Sequence, residues 1–148
     1  MRIYMDVCCF NRPFDDQAHE KIRIESEAVL AILNRCLNDW KLIGSEVIDY
    51  ELSKIPEDER RMGAKILAKI SRKNIIIDHS IKRRASEMER FGLKAVDALY
   101  VACAEGSDDV MLTTDDEIVR KVKANRKHIK IRVENPLNWL MEVIKDGS

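Results

Sequence analysis

The chain has 148 residues, 45% hydrophobic and 35% charged, with 26 Lys and Arg against 26 Asp and Glu, so its formal net charge is zero. That length predicts a single domain, 1–148, able to bury about 68–70% of the surface its unfolded form exposes, with no metal or disulfide needed for folding. The richness in aliphatics excludes a disordered chain, no 18-residue apolar run offers a membrane span, and Asp6 falls where a signal peptide needs its apolar stretch. A cytoplasmic protein with no membrane association is therefore expected.

In chain order, Arg2–Met5 reads as a short buried strand stopped by Asp6, followed by a polar loop, Asn11–Asp16. Ile22, Val29, Leu33 and Leu37, with Ala28, Ile32 and Cys36 between them, mark a long amphipathic helix ending near Asn38 and Asp39. Trp40–Ile43 is a second strand, Gly44 and Ser45 turn it, and Ser45 caps the next helix, with Glu46 in its first turn. Pro56 and the acids after it open a helix whose apolar face is Met62, Ile66, Leu67 and Ile70. Ile75–Ile77 is the clearest strand; a helix then starts at Ser80, carries Ile81, Ala85 and Met88, and closes at Gly92. Lys94–Glu105 is helical and rich in small residues, Val110–Thr113 is a strand, Asp116–Asn125 a helix and Ile129–Val133 a strand. Pro136 opens a last helix with Leu137, Leu140, Met141 and Ile144 inward.

Short apolar strands separated by helices predict a three-layer α/β/α domain around a parallel sheet, with its site beyond the carboxyl ends of the strands. The four cysteines, Cys8, Cys9, Cys36 and Cys103, show no CxxC spacing and read as reduced, small core residues. Charge is segregated along the neutral chain: Arg60–Lys73 and Val119–Arg132 are basic without a single acid, whereas Glu105–Glu117 holds six acids and no base. The basic stretches are solvated helix faces or a phosphate-contacting rim. Aromatic residues make up only 5%, so any RNA recognition leans on shape and phosphate rather than on base stacking.

The expected site selects four acids. Asp6 directly follows the first strand, and Asp115 follows the strand that ends at Thr113. Glu51 lies one helical turn from Val47 and Ile48, bordering a buried face, and Asp97 sits near the start of an almost wholly apolar helix. Burying such carboxylates costs several kcal/mol unless a cation or hydrogen bonds compensate them. Gathered together they would raise one another's pKa values, and a hard divalent cation such as Mg²⁺ is the simplest remedy. Metal-assisted phosphodiester hydrolysis is the chemistry that follows. The residues alone leave other roles open: Asp97 as a helix N-terminal acid, Asp115 or Asp116 as a cap, and Glu51 as the partner of a nearby lysine. Arg12 is either a contact for a substrate phosphate or part of a surface turn set by Pro13, with Asp15 and Asp16 as turn residues. His19, His79 and His128 are isolated from the acids in sequence and read as surface residues.

On these residues the sequence resembles, over essentially its whole length, the PIN-domain ribonucleases, a family that includes the VapC-type toxins of toxin–antitoxin modules. Arg2–Asp6 looks like the family's first strand with its leading Asp, Ser45 and Glu51 like its Ser with a Glu six residues later, Leu93–Ala104 like its Asp-Ala segment, and Leu112–Asp115 like its Thr-x-Asp. The resemblance implies that Asp6, Glu51, Asp97 and Asp115 form an acidic site for Mg²⁺ or Mn²⁺, with Thr113 shaping the pocket. It also implies a five-stranded parallel sheet ordered 3-2-1-4-5, a homodimer, RNA as substrate and an antitoxin protein as partner. The loop Cys8–Asp16 departs from the commonest toxins, whose helix begins sooner after the first Asp; it is similar to one branch of the family. Two competing functions are a catalytically silent PIN-like module that binds RNA or protein, and a phosphatase or phosphoreceiver with an Asp nucleophile. The last expects a second Asp where this chain has Cys8.

Overall fold

Ile3, Tyr4 and Met5 are completely buried, and the rest of the chain is arranged about them. The computed structural model describes residues 1–106 and 108–147. Strand β1 (Arg2–Met5) is the centre of a five-stranded parallel sheet, with β2 (Lys41–Ser45) and β4 (Val110–Leu112) beside it and β3 (Lys73–Ile75) and β5 (Arg132–Glu134) at the edges. The order is 3-2-1-4-5, as expected. Ile3 stands level with Leu42 on one side and Val110 on the other, so the carboxyl ends of β1, β2 and β4 finish along one rim.

Helices α1 (Val7–Asn11), α2 (Glu20–Cys36), α3 (Glu46–Ser53), α4 (Asp58–Ala68), α5 (His79–Glu89), α6 (Ala95–Glu105), α7 (Asp116–Ala124) and α8 (Pro136–Lys145) connect and flank the strands. Burial of each large core side chain contributes about 1.5–3 kcal/mol, and an apolar strand buried on both faces secures that only when layers cover both. Ser45 caps α3 by accepting the Ile48 N–H at 3.3 Å. Asp78, not singled out in the sequence, caps α5 through the Ile81 N–H at 2.9 Å. Gly92 ends the α5 segment with φ of 98°, a backbone conformation that favours glycine.

Several expectations are corrected. Helix α1 starts directly after Asp6, and Arg12–Phe14 forms a 3-10 turn, so much of the expected loop is helical. Gly44 and Ser45 continue β2 rather than turning it. The third strand lies two residues earlier than Ile75–Ile77: Ile76 is 72% exposed, and the Ile77 N–H leaves the ladder for Glu46 Oε1 at 2.7 Å. An edge strand has only one partner, so a side-chain acceptor can outcompete it. Strand β5 falls three residues later than expected at its start. Met62, Ile66, Met141, Ile144 and Leu37 point to solvent, while Ala64, Trp139 and Val143 provide buried contacts instead. Among the described residues no helix is long and apolar enough to cross a membrane.

The segment after α1 is held by a polar cluster. Arg12 binds Glu25 of α2 through Nε and Nη2, each at 2.9 Å, and Asp15 through Nη1 at 3.1 Å. Arg60 of α4 meets the other oxygen of Asp15 at 2.6 Å, and Asn135, the cap of α8, donates to Glu25 at 2.5 Å. Glu25 is only 1% exposed. Phe14 lies over Gly63, where an added Cβ would come within 2.4 Å of the ring. The Asn11–Asp16 segment therefore ties α1 to α2 and α4.

Candidate active site

The candidate acids reach the rim where β1, β2 and β4 end by different routes: Asp6 directly follows β1, Asp115 follows β4, Glu51 lies in α3, which starts where β2 ends, and Asp97 comes from the first turn of α6, which precedes β4. Asp6 leaves β1 and is 2% exposed. Its Oδ2 accepts the Thr113 hydroxyl at 2.5 Å and its Oδ1 the Cys8 thiol at 2.7 Å. Thr113 Oγ1 in turn accepts the Asp115 N–H at 3.0 Å, so one hydroxyl joins the ends of β1 and β4. Burial holds the Asp6 carboxyl well above the usual carboxylate range.

Asp97 lies in the first turn of α6 and is half-buried. Partial burial raises its pKa, Asp115 raises it further, and Lys94 and Lys121 pull it back. Tyr100, one turn along α6, is 3% exposed and stands in the field of Asp6, Glu51 and Cys8. Burial, then those three groups, push its hydroxyl upward. Among the described residues that hydroxyl makes no hydrogen bond; the Val7 main chain is near enough to pull its pKa back a little. Tyr4 supports the floor from beneath, edge-on to Tyr100 at 6.4 Å and hydrogen-bonded to Ser45 at 2.8 Å, which links the floor to the cap of the helix that carries Glu51.

The four acids thus share one rim, but they do not converge. Among the described residues no three His, Cys, Asp or Glu side chains stand close enough together to hold an ion directly. Asp115 also caps α7 through the Glu117 N–H at 2.9 Å, and Glu51 faces Lys54 at 3.7 Å, so two roles left open by the sequence are present here. The donor chemistry nevertheless fits a hard cation. Mg²⁺ keeps several waters and takes one or two carboxylates, so oxygen donors spaced around a partly wet rim suit it, and the unpartnered Tyr100 hydroxyl offers one more oxygen.

Three expectations fare differently. Cys9, Cys36 and Cys103 are buried, free thiols, but Cys8 is part of the site rather than of the core. Arg12 is engaged by Glu25 and Asp15 and is no free phosphate ligand. His19, His79 and His128 are all exposed, as expected, and His128 stacks on Phe91 with ring centroids 4.7 Å apart. Cys8 and Tyr100 were legible in principle, two residues from Asp6 and three from Asp97 on the same helical face. Glu25 likewise lies within the stripe of Ile22, Val29 and Ile32, where a buried acid demands a partner.

No protein-family model matches the sequence, and no curated protein matches it. Solved structures do match in fold. FitAcB from Neisseria gonorrhoeae superposes with a TM-score of 0.60 at 16% identity, over 90% of this chain and 97% of that one. VapBC2 from Rickettsia felis, solved with a DNA fragment from its promoter, gives 0.57 at 16% identity over 91% and 98%. PAE2754 from Pyrobaculum aerophilum gives 0.55 at 16% identity over 98% and 99%. With its 3-2-1-4-5 sheet flanked by helices, this chain has a PIN-like fold over at least 90% of its length.

Proposed function

We propose that this protein is a metal-dependent endoribonuclease that hydrolyses RNA phosphodiester bonds, and that it acts as the toxin of a type II toxin–antitoxin pair. One observation carries the reading: the Asp6 carboxyl is buried at the strand rim, held by Thr113 and, among the described residues, ion-paired to no Lys or Arg, while the buried Tyr100 hydroxyl makes no hydrogen bond. A buried carboxylate left so is costly unless protonated or given a cation. The VapC-like residue pattern and the presence of VapBC2 among the structural neighbours support the toxin assignment.

Asp6 and Asp97 would hold Mg²⁺ or Mn²⁺, with Glu51 and Asp115 as further ligands or as acceptors for its waters. The ion, when bound, supplies an activated water and stabilises charge on the phosphate. Thr113 fixes the Asp6 carboxylate, and Tyr100 closes the floor against bulk water. In this reading the protein is cytoplasmic and homodimeric, and sedimentation measures the dimer. Incubation with labelled RNA and Mg²⁺ or Mn²⁺ should give cleavage abolished by EDTA and by Asp6→Asn or Asp97→Asn. Cleavage that survives those changes would sink the assignment.

A second reading, a silent module that binds RNA or protein, is favoured by the partners that Asp115 and Glu51 already have. No cleavage together with no heat of Mn²⁺ binding in calorimetry would select it.

A further inference from the structure

Two basic segments far apart in sequence, the end of α5 and the turn after α7, are clasped together. Arg84 donates to the His128 carbonyl, and Asn125 Nδ2 donates to the Phe91 carbonyl at 3.2 Å and the Lys121 carbonyl at 2.8 Å. The Phe91 and His128 rings stack with centroids 4.7 Å apart and planes 12° from parallel. A Cβ on Gly92 would lie 4.0 Å from Cδ of Lys121, so that side chain runs along the link between α5 and α6. The link leads into the first turn of α6, where Lys94 and Lys121 both stand in the field of Asp97. Lys121 is paired with Glu117, whereas Arg90, Lys94, Arg126 and Lys127 are exposed and form no ion pair among the described residues. Helix α7, capped at the acidic rim by Asp115, is nine residues or about 13 Å long, and Arg126 and Lys127 follow its far end. The clasp thus sets a line of cations between Asp97 and that end.

We propose that this surface is the path by which a single-stranded RNA leaves the acidic rim, its phosphates on Lys94, Arg90, Arg126 and Lys127 and one base laid on His128. The inference rests on RNA as the substrate. Cations without acidic partners are free to neutralise phosphates, and each such contact releases condensed counterions, from which the affinity arises. His128 is exposed with Phe91 against one face, so its ring is held in place and its solvent side can take a base; stacking of this kind tolerates any base, because every base has a π-face. An acidic peptide is disfavoured, since its carboxylates would meet the same cations and leave the ring unused. A duplex is disfavoured because its bases are already stacked on one another. With one ring on the path, recognition remains chiefly of the phosphate chain.

The test reads binding rather than cleavage: the full chain in EDTA, a fluorescein-labelled single-stranded RNA of about twelve nucleotides, and anisotropy across a salt series. Arg126→Ala with Lys127→Ala should lower the slope of log affinity against log salt by about 1.4 and the affinity about 25-fold at about 0.1 M salt, with the circular dichroism unchanged. Lys41→Ala with Lys145→Ala, an equal loss of charge at exposed positions off the path, should change the affinity less than about twofold. His128→Ala should weaken the RNA about fivefold or more, His128→Phe should restore it, and an abasic strand of the same charge should bind all three proteins alike. Absence of RNA binding, equal losses in the two double variants, His128→Ala that binds as the parent does, or a polyglutamate of matched charge that displaces the RNA as well as unlabelled RNA does would each overturn the proposal. Binding of the expected kind by a protein that never cuts RNA when Mn²⁺ is supplied would refute the nuclease reading and leave this RNA surface standing.

Discussion

Arg12→Ala tests whether the segment after α1 is a structural clamp or a phosphate-binding arm. The guanidinium makes two contacts of 2.9 Å to Glu25 and one of 3.1 Å to Asp15, and Glu25 is 1% exposed. Removing the cation leaves Glu25 buried with Asn135 as its remaining partner, and Asp15 with Arg60. Breaking a buried pair by deleting one member costs about 3–5 kcal/mol, most of it the stranded charge rather than the lost bond. For a chain of this size each 1 kcal/mol moves Tm by roughly 2–4 °C, so a fall of about 6–20 °C is expected. Thermal unfolding followed by the fluorescence of Trp40 and Trp139 measures the fall, and urea unfolding the free energy. Arg12→Met with Glu25→Gln should recover about 1–2 kcal/mol relative to the sum of the single changes, because the neutral amide no longer needs a cation. A loss below about 1 kcal/mol in Arg12→Ala, joined to a large loss of RNA affinity, would refute the clamp and restore the phosphate contact.

Three further outcomes are expected. Asp6→Asn should unfold at higher urea than the parent at pH 8, with the gap narrowing toward pH 4. The folded Asp6 pKa lies above its unfolded value, so the native state binds the extra proton between the two, and stability from this group is greatest at low pH and falls as pH rises through the folded value; a gap that widens on acidification would contradict it. Ser45→Ala removes the cap of α3 and the partner of the Tyr4 hydroxyl, costing about 1–3 kcal/mol in urea unfolding. Gly63→Ala drives a methyl into the Phe14 ring, which is 38% exposed and can swing away, so about 1 kcal/mol is lost and proteolysis near Phe14 quickens; an unchanged Tm and cleavage rate would place Phe14 elsewhere.

The sequence by itself determined the layered parallel architecture, because an apolar strand followed by an amphipathic helix is a local pattern that only burial between helices satisfies. It located β1, α2, α6 and the Ser45 cap within a residue or two, and it selected Asp6, Asp97, Glu51 and Asp115 by their positions after strands or against apolar faces. Tertiary structure alone decided which apolar positions are wet. Met62, Ile66, Ile76 and Ile144 obey the periodicity of buried residues, yet they fall where no neighbouring layer reaches, since periodicity defines a face but not what lies opposite it. The partners were equally a matter of three dimensions: Thr113 meets Asp6 across 107 positions and Asn135 meets Glu25 across 110. For that reason Arg12, which its neighbours in sequence left open between a phosphate contact and a surface turn, is bound to a glutamate thirteen residues away that the folding of α2 brings beneath it.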